Sequence, residues 1–185
     1  MRRINVCGLK SDELFSLIKK LIDEKKTITF AESCTGGLLS KKVTDNSGVS
    51  SCFECGFVTY SNDIKEKLLG VKHETLLKHG AVSYETAYEM CEGAKKAASA
   101  DIAISVTGIA GPTGGTDEKP VGLVYVGVCS DSIHGVIKLN LSGTREEVRE
   151  KTSLCAFSLA NLALNGELSH WDENGTVLDV EYTED

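Results

Sequence analysis

The chain has no apolar run approaching the ~18 residues that a membrane-crossing helix requires. Its first residues, Met1-Arg-Arg-Ile-Asn-Val-Cys-Gly8, lack the long apolar segment of a secretory signal. No membrane partner is therefore expected. Positive charge is in short supply as well: 20 Lys and Arg face 27 Asp and Glu, leaving a net charge of −7. That balance disfavours broad binding to nucleic acid, while a local basic pocket for a small phosphate remains compatible with it. Repeats and low-complexity tracts are missing. The pair Cys52-Phe-Glu-Cys55 has no second pair to complete a metal cage, and His73, His79, His134 and His170 are dispersed. Read as part of a strand, Cys52 and Cys55 face opposite sides and do not grip one ion, so no zinc site is expected. The seven cysteines are odd in number and scattered, which suits reduced thiols in a cytoplasm better than a disulfide frame.

What is present describes an ordinary globule: 185 residues, 41% hydrophobic and 25% charged. One domain is expected over residues 1–165, with a polar, acidic tail over 166–185 in which Val177-Leu-Asp-Val180 is a candidate edge strand. Helical spacing marks 12–25, 33–44, 64–69, 73–79, 83–99 and 144–164, with Ser11, Ser83 and a Thr144/Glu147 capping box as starts. Strand patterns mark about 27–31, 52–60 and 101–107, and 121–129 with 133–141 reads as a hairpin. Mixing βα crossovers with one hairpin predicts an α/β fold, a mixed sheet covered by helices on both faces. In such folds ligands sit at the carboxyl ends of strands, which singles out the ends leading to Ser33, Tyr60 and Thr107.

Four places carry possible chemistry. In Thr27-Ile-Thr-Phe-Ala-Glu-Ser-Cys-Thr-Gly-Gly37, β-formers run into Ser33 and a helical pattern follows. Ser33 is either a helix N-cap, with Gly36 and Gly37 allowing close packing, or a reactive or anion-gripping side chain. A serine nucleophile needs a base, and no histidine is convincingly placed. Lys65, in the first turn after Tyr60-Ser-Asn-Asp-Ile, is the other choice: the helix dipole and burial would both disfavour its charge. The plain alternative is a solvated lysine. The loop from Gly108 to Thr116 matches neither Gly-x-x-x-x-Gly-Lys-Ser/Thr nor Gly-x-Gly-x-x-Gly, yet its glycines let backbone N–H groups approach a ligand or oxyanion. Arg145, a cation at a helix start, makes sense with a docked anion, or else Arg145 and Arg149 pair with Glu146, Glu147 and Glu150.

Taken together, Ala31-Glu-Ser-Cys-Thr-Gly-Gly37, Val58-Thr-Tyr-Ser-Asn62 with Lys65 and Leu69-Gly-Val71, and His79-Gly-Ala-Val-Ser83 resemble the CinA C-terminal domain family. So do Val106-Thr-Gly-Ile-Ala-Gly-Pro112 with both Gly114-Gly115 and Lys119-Pro-Val-Gly122, and Ser142-Gly-Thr-Arg145 with Val148-Arg149. The likeness covers about residues 12–165 in five ordered blocks. It implies a three-layer α/β/α fold with a mixed, mostly parallel sheet of about five strands, and a homodimer or larger homo-oligomer. The implied activity is that of a nicotinamide-nucleotide amidase, which hydrolyses nicotinamide mononucleotide to nicotinate mononucleotide and ammonia without metal or cofactor. The implied catalytic residues are Ser33 as nucleophile, Lys65 as base and Tyr60 as proton-transfer partner. Implied substrate contacts are Cys34, Thr35, Gly48, Ser50, Thr107, Gly108, Gly111, Gly114 and Gly115, with Arg145 at the phosphate end.

The chain departs from the family pattern at Thr144, where Asp is common, and at Ser47-Gly-Val-Ser50, where Pro-Gly-Ala-Ser is. No counterpart of the larger nucleotide-processing domain that precedes this one in longer CinA proteins is expected from these residues. Two other functions fit the same residues: a non-catalytic nucleotide-binding or regulatory protein, and an amidase for another amide-bearing nucleotide.

Overall fold

A computed structural model of the chain describes residues 11–168 and 178–180. The expectations for residues 1–10, and for the acidic tail over 169–177 and 181–185, lie outside these residues. Helix α1 (Ser11–Asp23) leads into β1 (Ile28–Glu32), then α2 (Leu38–Thr44), a 3-10 turn (Val49–Ser51) and β2 (Gly56–Val58). Helices α3 (Asn62–Leu69), α4 (His73–His79) and α5 (Tyr84–Ala98) follow, then β3 (Ile102–Gly108), β4 (Leu123–Cys129), β5 (His134–Asn140), α6 (Arg145–Leu164) and β6 (Leu178–Val180).

The sheet runs β2-β1-β3-β4-β5-β6. The pairs β1/β2, β1/β3 and β5/β6 are parallel, while β3/β4 and β4/β5 are antiparallel. This is the expected mixed α/β sheet, mostly parallel, with six strands rather than about five because Leu178–Val180 joins β5 at the edge. On one face β1 and β3 side chains meet α1, α2 and α6, where Phe30 packs edge-on to Phe157 with ring centroids 6.0 Å apart. The other face is covered from α3 to α5 by a smaller cluster around Leu69, Met90, Cys91 and Ala103.

Buried polar groups fasten α5 to the sheet. Ser105 Oγ donates to the Ala87 carbonyl at 2.6 Å and Cys91 Sγ to the Ala103 carbonyl at 3.2 Å. A Cβ on Gly93 would sit 1.8 Å from the Leu69 carbonyl oxygen, so only glycine lets α5 pass the end of α3 this closely. The predicted caps form: Ser83 accepts from Thr86 N–H, and Thr144 and Glu147 exchange both bonds of the capping box.

Three boundaries differ. The second strand shrinks from 52–60 to Gly56–Val58, so Cys52 and Cys55 sit in irregular chain before it. Ser11 is the first residue of α1 rather than its cap. The second helix starts at Leu38, five residues later than expected. For positioning a site, the decisive feature is the β2-β1-β3 order: three parallel strands side by side put their carboxyl ends on one edge.

Candidate active site

Strand β1 is buried along its whole length, and the Ser33 N–H still bonds the Val106 carbonyl of β3 at 3.0 Å before the chain leaves the sheet. Residues 33–37 then form a turn, not helix. Gly36 and Gly37 take φ of 59° and 95°, left-handed values that a side chain would disfavour. That corrects the expectation that Ser33 caps a helix beginning at once, and it removes the oddity of two glycines in a helical turn. The helix is capped by Glu32, a residue that sequence reasoning missed. Its fully buried carboxylate accepts from the N–H groups of Gly37 (2.9 Å), Leu39 (3.1 Å) and Ser40 (2.9 Å) and from Ser40 Oγ (2.8 Å). An acid ending an otherwise buried strand, just before a glycine pair, was the available signal.

Ser33 is half-buried, while its neighbour Cys34 packs into the core between the sheet and α6. Burial pushes the Cys34 thiol up to about 12, with its own backbone N–H and then the nearby Lys65, Arg145 and Arg149 pulling the other way. A thiol so high is not a nucleophile near neutral pH, so the turn offers the serine hydroxyl alone.

Ser61 caps α3 by accepting from Ile64 N–H at 3.3 Å, and this sets Lys65 in the first turn, as the sequence predicted. The tertiary fold buries it: Lys65 is 1% exposed, and its Nζ donates to Ser33 Oγ at 3.0 Å and to the Thr59 carbonyl at 2.6 Å. Both acceptors are neutral. Burial lowers its pKa from 10.5 to about 8, opposed weakly by Cys34. An amine at that value is uncharged in roughly a tenth of molecules at pH 7 and can take a proton from the hydroxyl it touches.

Tyr60 is brought near, but not between serine and lysine. The phenol is 63% exposed and accepts from Arg145 Nη2 at 2.9 Å, while Arg145 Nη1 donates to the Gly111 carbonyl at 2.9 Å. Arg145 thus bridges the end of β2 and the glycine-rich loop. One turn on, Arg149 donates through Nε (3.2 Å) and Nη2 (2.6 Å) to the Thr35 carbonyl. The expectation of pairing with Glu146, Glu147 or Glu150 is not met: Glu147 caps its own helix and Glu150 binds Lys42. Among the described residues no carboxylate forms an ion pair with Lys65, Arg145 or Arg149. Three cationic side chains without a counter-ion therefore share one strand-end edge.

Thr107 is buried and spends its hydroxyl proton on the Ala81 carbonyl at 2.6 Å, tying the loop before α5 to the end of β3. Lys119, also missed, fixes that loop from the other side through the carbonyls of His79 (2.6 Å) and Val82 (2.8 Å). The glycines of the long loop have internal reasons. A Cβ on Gly108 would lie 2.7 Å from the Leu123 carbonyl oxygen, one on Gly111 2.5 Å from Val121, and one on Gly115 2.7 Å from Val121 N. Gly114 has φ 91°. Their number follows from the tight return into β4, and it does not by itself point to a ligand.

Gly48 and Ser50 are not brought to this edge within the chain. They lie beyond the far end of α2, where Gly48 approaches Ile22 of α1 and the Cys52 carbonyl binds Ile28 N–H at the start of β1. Two buried hydroxyls, Thr35 Oγ1 and Thr59 Oγ1, have no hydrogen-bond partner among the described residues. The N–H groups of Cys34 and Thr35 bond no other described residue. The edge thus combines a serine, an amine touching it, two amide donors beside it that bond no other described residue, and two guanidiniums.

The model of the CinA C-terminal domain matches residues 13–164. This chain belongs to the CinA C-terminal domain family. A putative competence-damage inducible protein from Thermoanaerobacter sp. (strain X514) is 51% identical over 162 residues, covering 87% of this chain and 39% of that protein. A CinA-like protein from Endomicrobium trichonymphae is 48% identical over 167 residues, again 39% of its length, so the chain spans about two-fifths of these relatives. Among solved structures, the competence/damage inducible protein CihA from Agrobacterium tumefaciens superposes with a TM-score of 0.81 at 39% identity. The match covers 84% of this chain and 94% of that one. The competence damage-inducible protein A from Klebsiella pneumoniae gives 0.79 at 34% identity, over 89% of this chain and all of that one. The fold of this CinA domain and the family are therefore common ground with these proteins, whose names speak of competence and damage rather than of a reaction.

Proposed function

We propose that this CinA-family domain is an amidohydrolase that deamidates nicotinamide mononucleotide. The observation that carries the proposal is the 3.0 Å contact between Ser33 Oγ and a buried Lys65 Nζ that has no counter-ion among the described residues and a pKa near 8. Ser33 attacks the carboxamide carbon while Lys65 takes its proton directly. The carbonyl oxygen becomes an oxyanion held by the N–H groups of Cys34 and Thr35; one such donor is worth roughly 3 kcal/mol of barrier. The C–N bond breaks as Lys65 returns the proton to the leaving nitrogen, and ammonia departs. Water, deprotonated by Lys65, then opens the acyl-Ser33 ester, Lys65 returns that proton to the Ser33 oxygen, and nicotinate mononucleotide leaves, so that one amide and one water become one carboxylate and one ammonium.

A mononucleotide suits Arg145. That guanidinium is spent only on neutral acceptors, and with N–H groups to spare it favours a phosphate. Tyr60, bonded to Arg145, is assigned to that rim, and the serine–lysine contact gives a direct proton path that does not need the phenol. The test is ammonia release from nicotinamide mononucleotide by the purified chain. Ser33→Ala is expected to abolish release and retain calorimetric binding. Normal release by that variant would discard the nucleophile.

A further inference from the structure

The turn that carries Ser33 is built from residues that should not hold still. Gly36 and Gly37 both have left-handed φ, and glycine tolerates either orientation of the flanking peptide planes. Bonds at both ends pin the Thr35–Gly36 peptide. Its N–H, from Gly36, donates to the Ser33 carbonyl at 3.1 Å, and its carbonyl, from Thr35, accepts from the Leu38 N–H at 3.2 Å and receives the forked bond from Arg149 at 2.6 and 3.2 Å. With that plane fixed and the Ser33 carbonyl turned to Gly36, the N–H groups of Cys34 and Thr35 bond no other described residue. If the plane flipped, the Thr35 carbonyl would lose Arg149 and the Gly36 N–H would leave Ser33, loosening the peptide units that hold both donors.

We infer that Arg149 is a positioning residue: from α6 it locks the Thr35–Gly36 peptide so that the donors beside Ser33 remain available to an oxyanion. Residues 35 and 149 are 114 positions apart, so the lock couples the last helix to the first strand's turn. Three observations support the assignment. Among the described residues Arg149 has no acidic partner that would explain it as a surface ion pair. It is half-buried, and its Nη2 lies 3.8 Å from where a Gly36 Cβ would stand, against the turn itself. Its planar fork addresses one carbonyl with two N–H groups, which a lysine ammonium reproduces only in part.

The inference rests on the amidase reading for its oxyanion but not for its geometry, and the experiment separates the two. Amide exchange followed by NMR on the full chain reads the lock directly. Arg149→Met is expected to speed exchange of the Gly36 N–H by roughly tenfold or more and to leave Ile104 in the central strand unchanged. Unchanged Gly36 exchange, or loss of protection spread through β3, overturns the lock. In the kinetic arm, Arg149→Met is expected to lower kcat roughly 100-fold with KM within threefold, and Arg149→Lys to recover part of it. The same fold-loss should appear with nicotinamide riboside, which has no phosphate. A loss confined to KM that vanishes without the phosphate makes Arg149 a phosphate ligand and overturns the inference. Should the wild-type chain release no ammonia while Gly36 exchange still responds to Arg149→Met, the amidase reading falls and the lock stands.

Discussion

Replacing Lys65 by methionine tests the cost of keeping an amine ready beside Ser33. Lys65 is 1% exposed, and burial lowers its pKa from 10.5 to about 8. The sign follows from proton counting. Below pH 8 both folded and unfolded chains hold the proton, and the folded state bears the whole cost of a buried cation, roughly 3 kcal/mol for a fall of this size. Between pH 8 and 10.5 the unfolded chain binds more protons than the folded one, so stability rises with pH until the cost is gone. Methionine has nearly the same length and no charge, but it forfeits the bonds to Ser33 Oγ and the Thr59 carbonyl, together about 2 kcal/mol. Lys65→Met should therefore be more stable than the parent by about 1 kcal/mol at pH 7 and less stable by about 2 kcal/mol at pH 10.5. Urea unfolding of both chains at half-unit steps from pH 7 to 10.5 measures this. The comparison cancels every other titrating group, and the predicted change of sign corresponds to roughly 6–12 °C in Tm for a chain of this size. A stability difference that is flat across that range would mean that Lys65 keeps its ordinary pKa, and the general-base argument would fail with it.

Three more outcomes follow from the same geometry. The rate kcat/KM for ammonia release should climb about tenfold per pH unit up to a value near 8 and level off above it, the limb of a base that must first lose its proton; a profile flat from pH 6 to 9 would remove Lys65 from that role. Cys34→Ala should keep most of the activity, because a thiol held near 12 takes no part, whereas loss comparable to Ser33→Ala, with the fold intact by circular dichroism, would move the nucleophile one residue along. Glu32→Gln replaces a carboxylate that accepts four bonds by an amide whose NH2 faces N–H donors, so it should cost roughly 2–4 kcal/mol in urea unfolding. It should also slow turnover by releasing the Ser33 turn, and a variant as stable as the parent would show that α2 does not depend on this cap.

Most of the architecture was legible in the chain because it is governed by local rules. Periodicity placed α4 at His73–His79 and set α5, the β4–β5 hairpin and α6 to within two residues at either end. The Ser83 cap and the Thr144/Glu147 box were readable because cap and capped N–H lie three residues apart. Where local reading failed, a distant partner had intervened. Ser33 looked like a cap because the true cap, Glu32, reaches 5 to 8 residues ahead across two left-handed glycines. Arg149 looked like one half of an i,i+3 or i,i+1 ion pair because its actual acceptor is 114 residues away.

By itself, then, the sequence determined the order and type of the elements, the Lys65 position in a first helical turn, and the family. Propensity, spacing and capping act over a few residues, and motif order is a property of the string. The tertiary structure alone decided that Lys65 is buried with no counter-ion among the described residues, that its amine meets Ser33 while the Tyr60 phenol turns to Arg145, and that Gly48 and Ser50 stay at the opposite end of β1. Burial and electrostatics depend on what packs around a group from every side, and that is settled only when β2, β1 and β3 lie parallel and α6 closes over their ends.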